Sequence, residues 1–210
     1  MSMKRSLAIF AVTAAACGPA LSTAPPSGPG AASDVAGQAA IADSVRTSYT
    51  AADVDFMSGM IHHHAQALVM ARMAPTHGAS PPMRILTARI INAQNDEIAL
   101  MRRWLTDRNL PAPDPESDGH MMHMPGMLTA GQLAALDAAR GEEFDRLFLQ
   151  FMIQHHQGAI TMVEELFAIR GAAQDDSVFK LASDIGADQE SEITRMRTML
   201  RDILLGDGGS

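Results

Sequence analysis

Apolar residues recur along this chain at helical intervals. From Asp53, the positions Phe56, Met60, His63, Ala67 and Met70 fall on one face of a helix. Pro, Gly and Ser break the pattern over residues 75–82, and Ile85, Ala88, Ile91, Ile98, Met101 and Leu105 then keep near-helical spacing in a second segment. A Pro-rich connection occupies residues 109–127. Thr129 opens a short helix through Leu133, Leu136 and Ala139, Gly141 marks a break, and two longer helical stretches, 144–167 and 177–204, flank a turn near Gly171. Asp53 and Thr129 are residue types that cap helix N-termini. An earlier helical pattern begins near Ala40.

The pattern is duplicated. Met60-Ile61-His62-His63-His64 returns as Met152-Ile153-Gln154-His155-His156, and both copies continue to an Ala (Ala67, Ala159) and a Met (Met70, Met162) at the same spacing. The following helices match as well: Gln94, Glu97, Ile98 and Met101 align with Gln189, Glu192, Ile193 and Met196. A hairpin of two amphipathic helices cannot bury its apolar face alone, so two copies packed together predict an all-α, ferritin-like four-helix bundle. The expected organisation is an export signal over 1–17, a Pro/Gly/Ser/Ala tether over 18–39, a first hairpin over 40–109, a Met/His-rich loop over 110–128 and a second hairpin over 129–205. Residues 40–205 form one domain.

Composition agrees with helices. Hydrophobic residues make up 47% of the 210 positions but aromatics only 4%, against 16 methionines, so the core is built from Leu, Ile, Ala and Met. The net charge is −8, and without Lys4 and Arg5 the 16 basic residues fall to 14 against 24 acidic ones, or −10. No basic stripe is present, which argues against nucleic acid as a partner.

Lys4 and Arg5 precede a short apolar run from Leu7 to Ala16, the pattern of an export signal and too short to span a bilayer. Cys17, the single cysteine, follows small residues as in a bacterial lipobox, although lipoboxes usually carry Leu where this chain has Ala14. Ordinary secretion is the competing reading. The expectation is a periplasmic or cell-envelope lipoprotein touching the membrane only through lipidated Cys17, with no disulfide.

On a helix, residues three and four apart are neighbours, so Met60, His63, Ala67 and Met70 form one row, and Met152, His155, Ala159 and Met162 form its equivalent. His64 and His156 lie about 100° further round. Imidazole suits copper, zinc, iron and nickel, whereas soft thioethers favour Cu(I). The candidate ligands are Met60, His63, His64, Met70, Met152, His155, His156 and Met162, with copper, Cu(I) or Cu(II), as the first cargo and other divalent metals behind it. Gln94, Glu97, Gln189 and Glu192 can hold the remaining imidazole N–H groups. Met101, Met196 and Met199 are read as core first. His62 lacks a counterpart and is expected to face solvent, and His77 to lie on a surface turn. His120, Met121, Met122, His123, Met124 and Met127 form either a second capture segment or a loop tucked against the bundle end.

These motifs, with Gln94-x2-Glu97-Ile98-x2-Met101, His123-Met124-Pro125-Gly126-Met127 and Phe144-Asp145-x2-Phe148-x3-Met152-Ile153-x-His155-His156-x-Gly158-Ala159, resemble the bacterial family called domain of unknown function 305, from about Thr50 to Leu204. The resemblance implies a ferritin-like four-helix bundle and, through CopM-like periplasmic members, copper binding and copper resistance. It places Met60, His63, His64, Met152, His155 and His156 on the family's motif.

The sequence reading is therefore a non-enzymatic copper-binding protein of the envelope, with copper ions and a copper-transfer protein as partners and oligomerisation open. A ferritin-like metal-dependent oxidase is the enzyme alternative; it requires Glu-x-x-His, which this chain lacks. A non-metal bundle that oligomerises through Met-rich faces is the third class.

Overall fold

The computed structural model describes residues 49–115 and 124–206. Cys17, the export signal, the tether, the expected helix start near Ala40, and His120, Met121, Met122 and His123 lie outside the described residues. Five α-helices are found among them: α1 Ala51–Ala71, α2 Pro81–Thr106, α3 Ala130–Ala138, α4 Glu142–Ala168 and α5 Asp176–Leu205. α1 pairs with α2, α4 pairs with α5, and the two hairpins meet through α1 and α4, with the short α3 laid on α4. The fold is the expected all-α bundle. No described helix is long and apolar enough to cross a membrane.

Local chemistry sets the helix ends. Thr50, not Asp53, is the N-cap of α1; Asp53 sits three residues on and closes a capping box with it. Thr129 caps α3 in the same way through Gln132. Asp175 caps α5 by accepting from the backbone of Ser177 and Val178. Asp53 also accepts from the Ala173 N–H at 2.7 Å, in the turn between α4 and α5. Asp145, at the same 92-residue offset that relates the histidines, accepts from the Ser80 N–H at 3.2 Å in the turn between α1 and α2. Each hairpin thus ties a buried carboxylate to the other hairpin's turn, and α1 runs antiparallel to α4.

Two apolar clusters fill the bundle. One holds Met57, Met60, Met101, Trp104, Val178 and Ile185. The other holds Met70, Leu86, Ile90, Phe144, Phe148 and Met152. Along all four long helices a buried polar residue falls between the parts that join these clusters: His63, Gln94, His155 and Gln189. The bundle therefore carries a polar layer at mid-height, enclosed by apolar residues on either side.

The phase expected for the start of α2 is corrected. Ile85 is 55% exposed and Ala88 also faces out, while Met83, Leu86 and Ile90 are buried and lead to Gln94. The core row of α2 contains polar Thr87 and Gln94, so apolarity alone picked the neighbouring row.

Candidate metal centre

Four imidazoles meet in the polar layer. His63 of α1 and His155 of α4 lie with ring centroids 3.9 Å apart, and His64 and His156 flank them at 6.5 and 6.2 Å from their sequence neighbours. All four side chains are essentially inaccessible to solvent. Antiparallel packing of the two equivalent helices makes the duplicated motif face itself.

Each Nε2 has an acceptor. His63 donates to the Pro125 carbonyl at 3.0 Å, His155 to the His63 carbonyl at 3.0 Å, His64 to Glu97 Oε2 at 2.7 Å and His156 to Glu192 Oε2 at 2.6 Å. Carbonyl and carboxylate oxygens accept only, so the ring hydrogen is held on Nε2. The four Nδ1 atoms are buried with no hydrogen-bond partner among the described residues. A buried, unpaired acceptor costs about 1–3 kcal/mol. Four together are an uncommon arrangement unless a further group completes them.

Burial holds the central pair neutral. The His63 pKa is lowered to about 3, by desolvation first and then by electrostatic repulsion between its protonated form and His64, with the Pro125 hydrogen bond opposing. His155 is pushed well below the usual histidine range by the same desolvation and by His63. Neutral imidazole with its lone pair on Nδ1 is the ligating form.

Glu97 and Glu192 reach the outer imidazoles from α2 and α5 as equivalent partners. Gln94 and Gln189, one turn earlier, are 1% and 2% exposed; both side-chain polar atoms of Gln94 and Oε1 of Gln189 have no hydrogen-bond partner among the described residues. Met60 and Met152 are fully buried one turn before the central histidines, in opposite apolar clusters. Met70 is buried in the second cluster two turns beyond His63, whereas its equivalent Met162 is partly exposed. Met101 and Met196 are wholly buried in the core. Among the described residues, no three His, Cys, Asp or Glu side chains are grouped so as to hold one ion together. A tetrahedral four-ligand site of the structural zinc kind is therefore not preformed there. The donor set present, paired imidazole lone pairs with thioethers one turn away, fits a soft ion of low coordination number.

Two histidines are not where the sequence placed them. His62 is 7% exposed rather than solvent-facing. His77 is 6% exposed; its Nε2 donates to the Asp137 carbonyl at 3.0 Å, and its own carbonyl accepts from the Gly141 N–H at 2.8 Å. It fastens the turn after α1 to the joint between α3 and α4. Helical periodicity places neither, and at His77 the covering partner, Asp137, is remote in sequence.

The segment 124–128 also has a role the sequence did not reveal. Gln66 grips Leu128 with both amide atoms, accepting from its N–H at 2.7 Å and donating to its carbonyl at 3.0 Å. Pro125-Gly126 presses directly on Gly158 of α4. A Cβ on Gly158 would lie 2.0 Å from the Pro125 oxygen, and one on Gly126 (φ +74°) 2.6 Å from the Gln154 carbonyl oxygen. The glycine in the repeated motif, aligned with Gln66 in the first copy, leaves room for this strap, whose carbonyl fixes the His63 ring.

Residues 53–200 match the family described as domain of unknown function (DUF305). The chain belongs to the DUF305 family. A DUF305 protein from Streptomyces coelicolor is 29% identical, covering 72% of this chain and 93% of that one, with a TM-score of 0.65. A DUF305 fragment from Deinococcus radiodurans is 32% identical over 72% and 97%, with a TM-score of 0.63. CopM in its Cu(II)-bound form is 31% identical over 71% and 96%, with a TM-score of 0.60, and CopM is also known in Cu(I)- and silver-bound forms. Among curated proteins there is no match.

Proposed function

We propose that this DUF305 protein binds copper as cargo in the bacterial cell envelope, sequestering or delivering it, and that the Nδ1 atoms of His63, His64, His155 and His156 supply its imidazole ligands, no more than two of them to one ion. One observation carries the reading: four buried Nδ1 atoms with no hydrogen-bond partner among the described residues, on rings whose Nε2–H groups are already engaged. Met60 and Met152 supply thioethers from the next turn, and Glu97 and Glu192 orient the outer rings and raise their basicity. The copper- and silver-bound forms of CopM support a metal cargo in this fold. No chemical transformation is needed for this role, and we place the protein among carriers rather than enzymes.

Export is part of the proposal. Lys4, Arg5 and the apolar run to Ala16 form its signal, with Cys17 as the lipid attachment point. The name of the Streptomyces coelicolor relative assigns it provisionally to the secreted proteins. Metal analysis of the purified full chain after copper loading tests the site. A His63→Ala/His64→Ala/His155→Ala/His156→Ala variant is expected to lose most of the bound copper, and equal copper in variant and wild type sinks the assignment.

A further inference from the structure

The two halves of the bundle are equivalent at the histidines and differ within two turns of them. Met162 of α4 corresponds to Met70 of α1, and Phe151 of α4 corresponds to Gly59 of α1, all at the 92-residue offset. In one half Phe151 packs on the core cluster that buries Met70. In the other, Gly59 takes the aromatic's place, and Met162 remains partly exposed.

A glycine inside a helix is unfavourable relative to alanine, and neither backbone conformation nor close packing requires one here. Among the described residues, a Cβ at Gly59 would meet Met162 Cε at 3.4 Å and Met124 Sδ at 3.5 Å, ordinary contact distances. The space left by the missing side chain is bounded by two thioethers. Met162 comes from α4, and Met124 from the strap whose next carbonyl, Pro125, accepts from His63. Gly59, Met124 and Met162 are all partly accessible. Met162 also borders a groove of about 280 Å³ shared with Ala52, Phe56 and the carboxylates of Asp55 and Glu165.

We propose that Met124 and Met162, facing one another over Gly59, form a solvent-side site for a soft monovalent cation, Cu(I) or its redox-silent stand-in Ag(I), distinct from the buried imidazole layer. Thioethers bind such ions without losing a proton, and they discriminate against hard divalent cations. The carboxylates on the groove draw cations toward it. The site rests on the copper-cargo reading for its ligand but not for its residues. Its place beside the strap makes it the receiving position for an ion bound for the core.

The full chain labelled at the methionine ε-methyl carbons and titrated with Ag(I) tests this. The Met124 and Met162 methyl resonances, assigned with Met124→Leu and Met162→Leu, should move together with one equivalent of Ag(I) and stay fixed with Zn(II). The Met124→Leu/Met162→Leu double variant, volume-conserving and expected to fold, should retain one Ag(I) fewer than wild type. Gly59→Ala should raise the melting temperature of the metal-free protein while weakening the methyl response at least tenfold. Unmoved Met124 and Met162 methyls at saturating Ag(I), or unchanged Ag(I) content in the double variant, overturns the proposal. A His63→Ala/His155→Ala variant separates the two readings: if it binds as much Ag(I) as wild type, the imidazole assignment fails, while a surviving methyl response still supports the thioether site.

Discussion

Gly158→Ala is a one-methyl change with a large expected effect. The new Cβ would sit 2.0 Å from the Pro125 oxygen and 2.5 Å from Gly126 Cα, and the opposing atoms are backbone rather than a flexible side-chain end. The strap must lift from α4. Lifting it removes the His63 Nε2–Pro125 bond at 3.0 Å and the Gln154–Gly126 bond at 3.3 Å. Overpacking of this kind costs about 1–3 kcal/mol, and stranding the buried His63 N–H adds about 1–3 kcal/mol. The two together give about 2–6 kcal/mol of destabilisation, offset by at most about 1 kcal/mol of helix propensity gained from Gly to Ala. Gly186→Ala in α5 is the control. Among the described residues its Cβ would meet only Val163 Cγ1 at 3.7 Å, so the propensity gain should appear unopposed, at about 0.5–1 kcal/mol. Urea unfolding of both variants reads the two signs. A Gly158→Ala protein as stable as wild type, with the His63 ring still hydrogen-bonded by nitrogen NMR, would refute the strap's role.

Three further outcomes follow from the same contacts. His63 titrates near 3 when folded and near 6.5 when unfolded, so the unfolded chain takes up the proton first on acidification. Its contribution is present above pH 6.5 and is lost as pH falls toward 3, by about 2 kcal/mol already at pH 5, with His155 acting in the same direction; metal-free stability that is flat from pH 7.5 to 5 would contradict this. Gln66→Ala removes both bonds to Leu128 and should cost about 2–3 kcal/mol in chemical denaturation, with 124–128 gaining hydrogen exchange; unaltered exchange there argues against the clamp. Glu97→Gln and Glu192→Gln preserve shape but weaken the hold on His64 and His156, and competition with a copper chelator should show about a 10–100-fold affinity loss, whereas unchanged affinity would remove the carboxylates from the site.

The helices, their duplication and the convergence of the two histidine pairs were legible in the sequence because the Met-Ile-x-His-His motif and the Gln-x2-Glu motif each repeat at helical spacing. Glu97 and Glu192 were legible as imidazole partners for the same reason. The start of α2 was not, because Gln94 belongs to the polar layer and interrupts its apolar row. His62 and His77 were misplaced because burial of a polar side chain leaves no periodic trace. The equivalence of Asp53 and Asp145 was present at the same 92-residue offset, yet what each holds lies in the other hairpin's turn. The need for glycine at 158 could not be read at all, since it comes from a backbone carbonyl 33 residues earlier in the chain.

The central claim is that copper sits on the Nδ1 atoms of the mid-bundle imidazoles. Diffraction from the copper-loaded protein on both sides of the copper absorption edge tests it directly. The account predicts an anomalous peak within bonding distance of Nδ1 on two of His63, His64, His155 and His156, with each Nε2 still on its oxygen acceptor. Copper found only outside this layer, or ligated through Nε2 with the Pro125, Glu97 and Glu192 contacts broken, would contradict it.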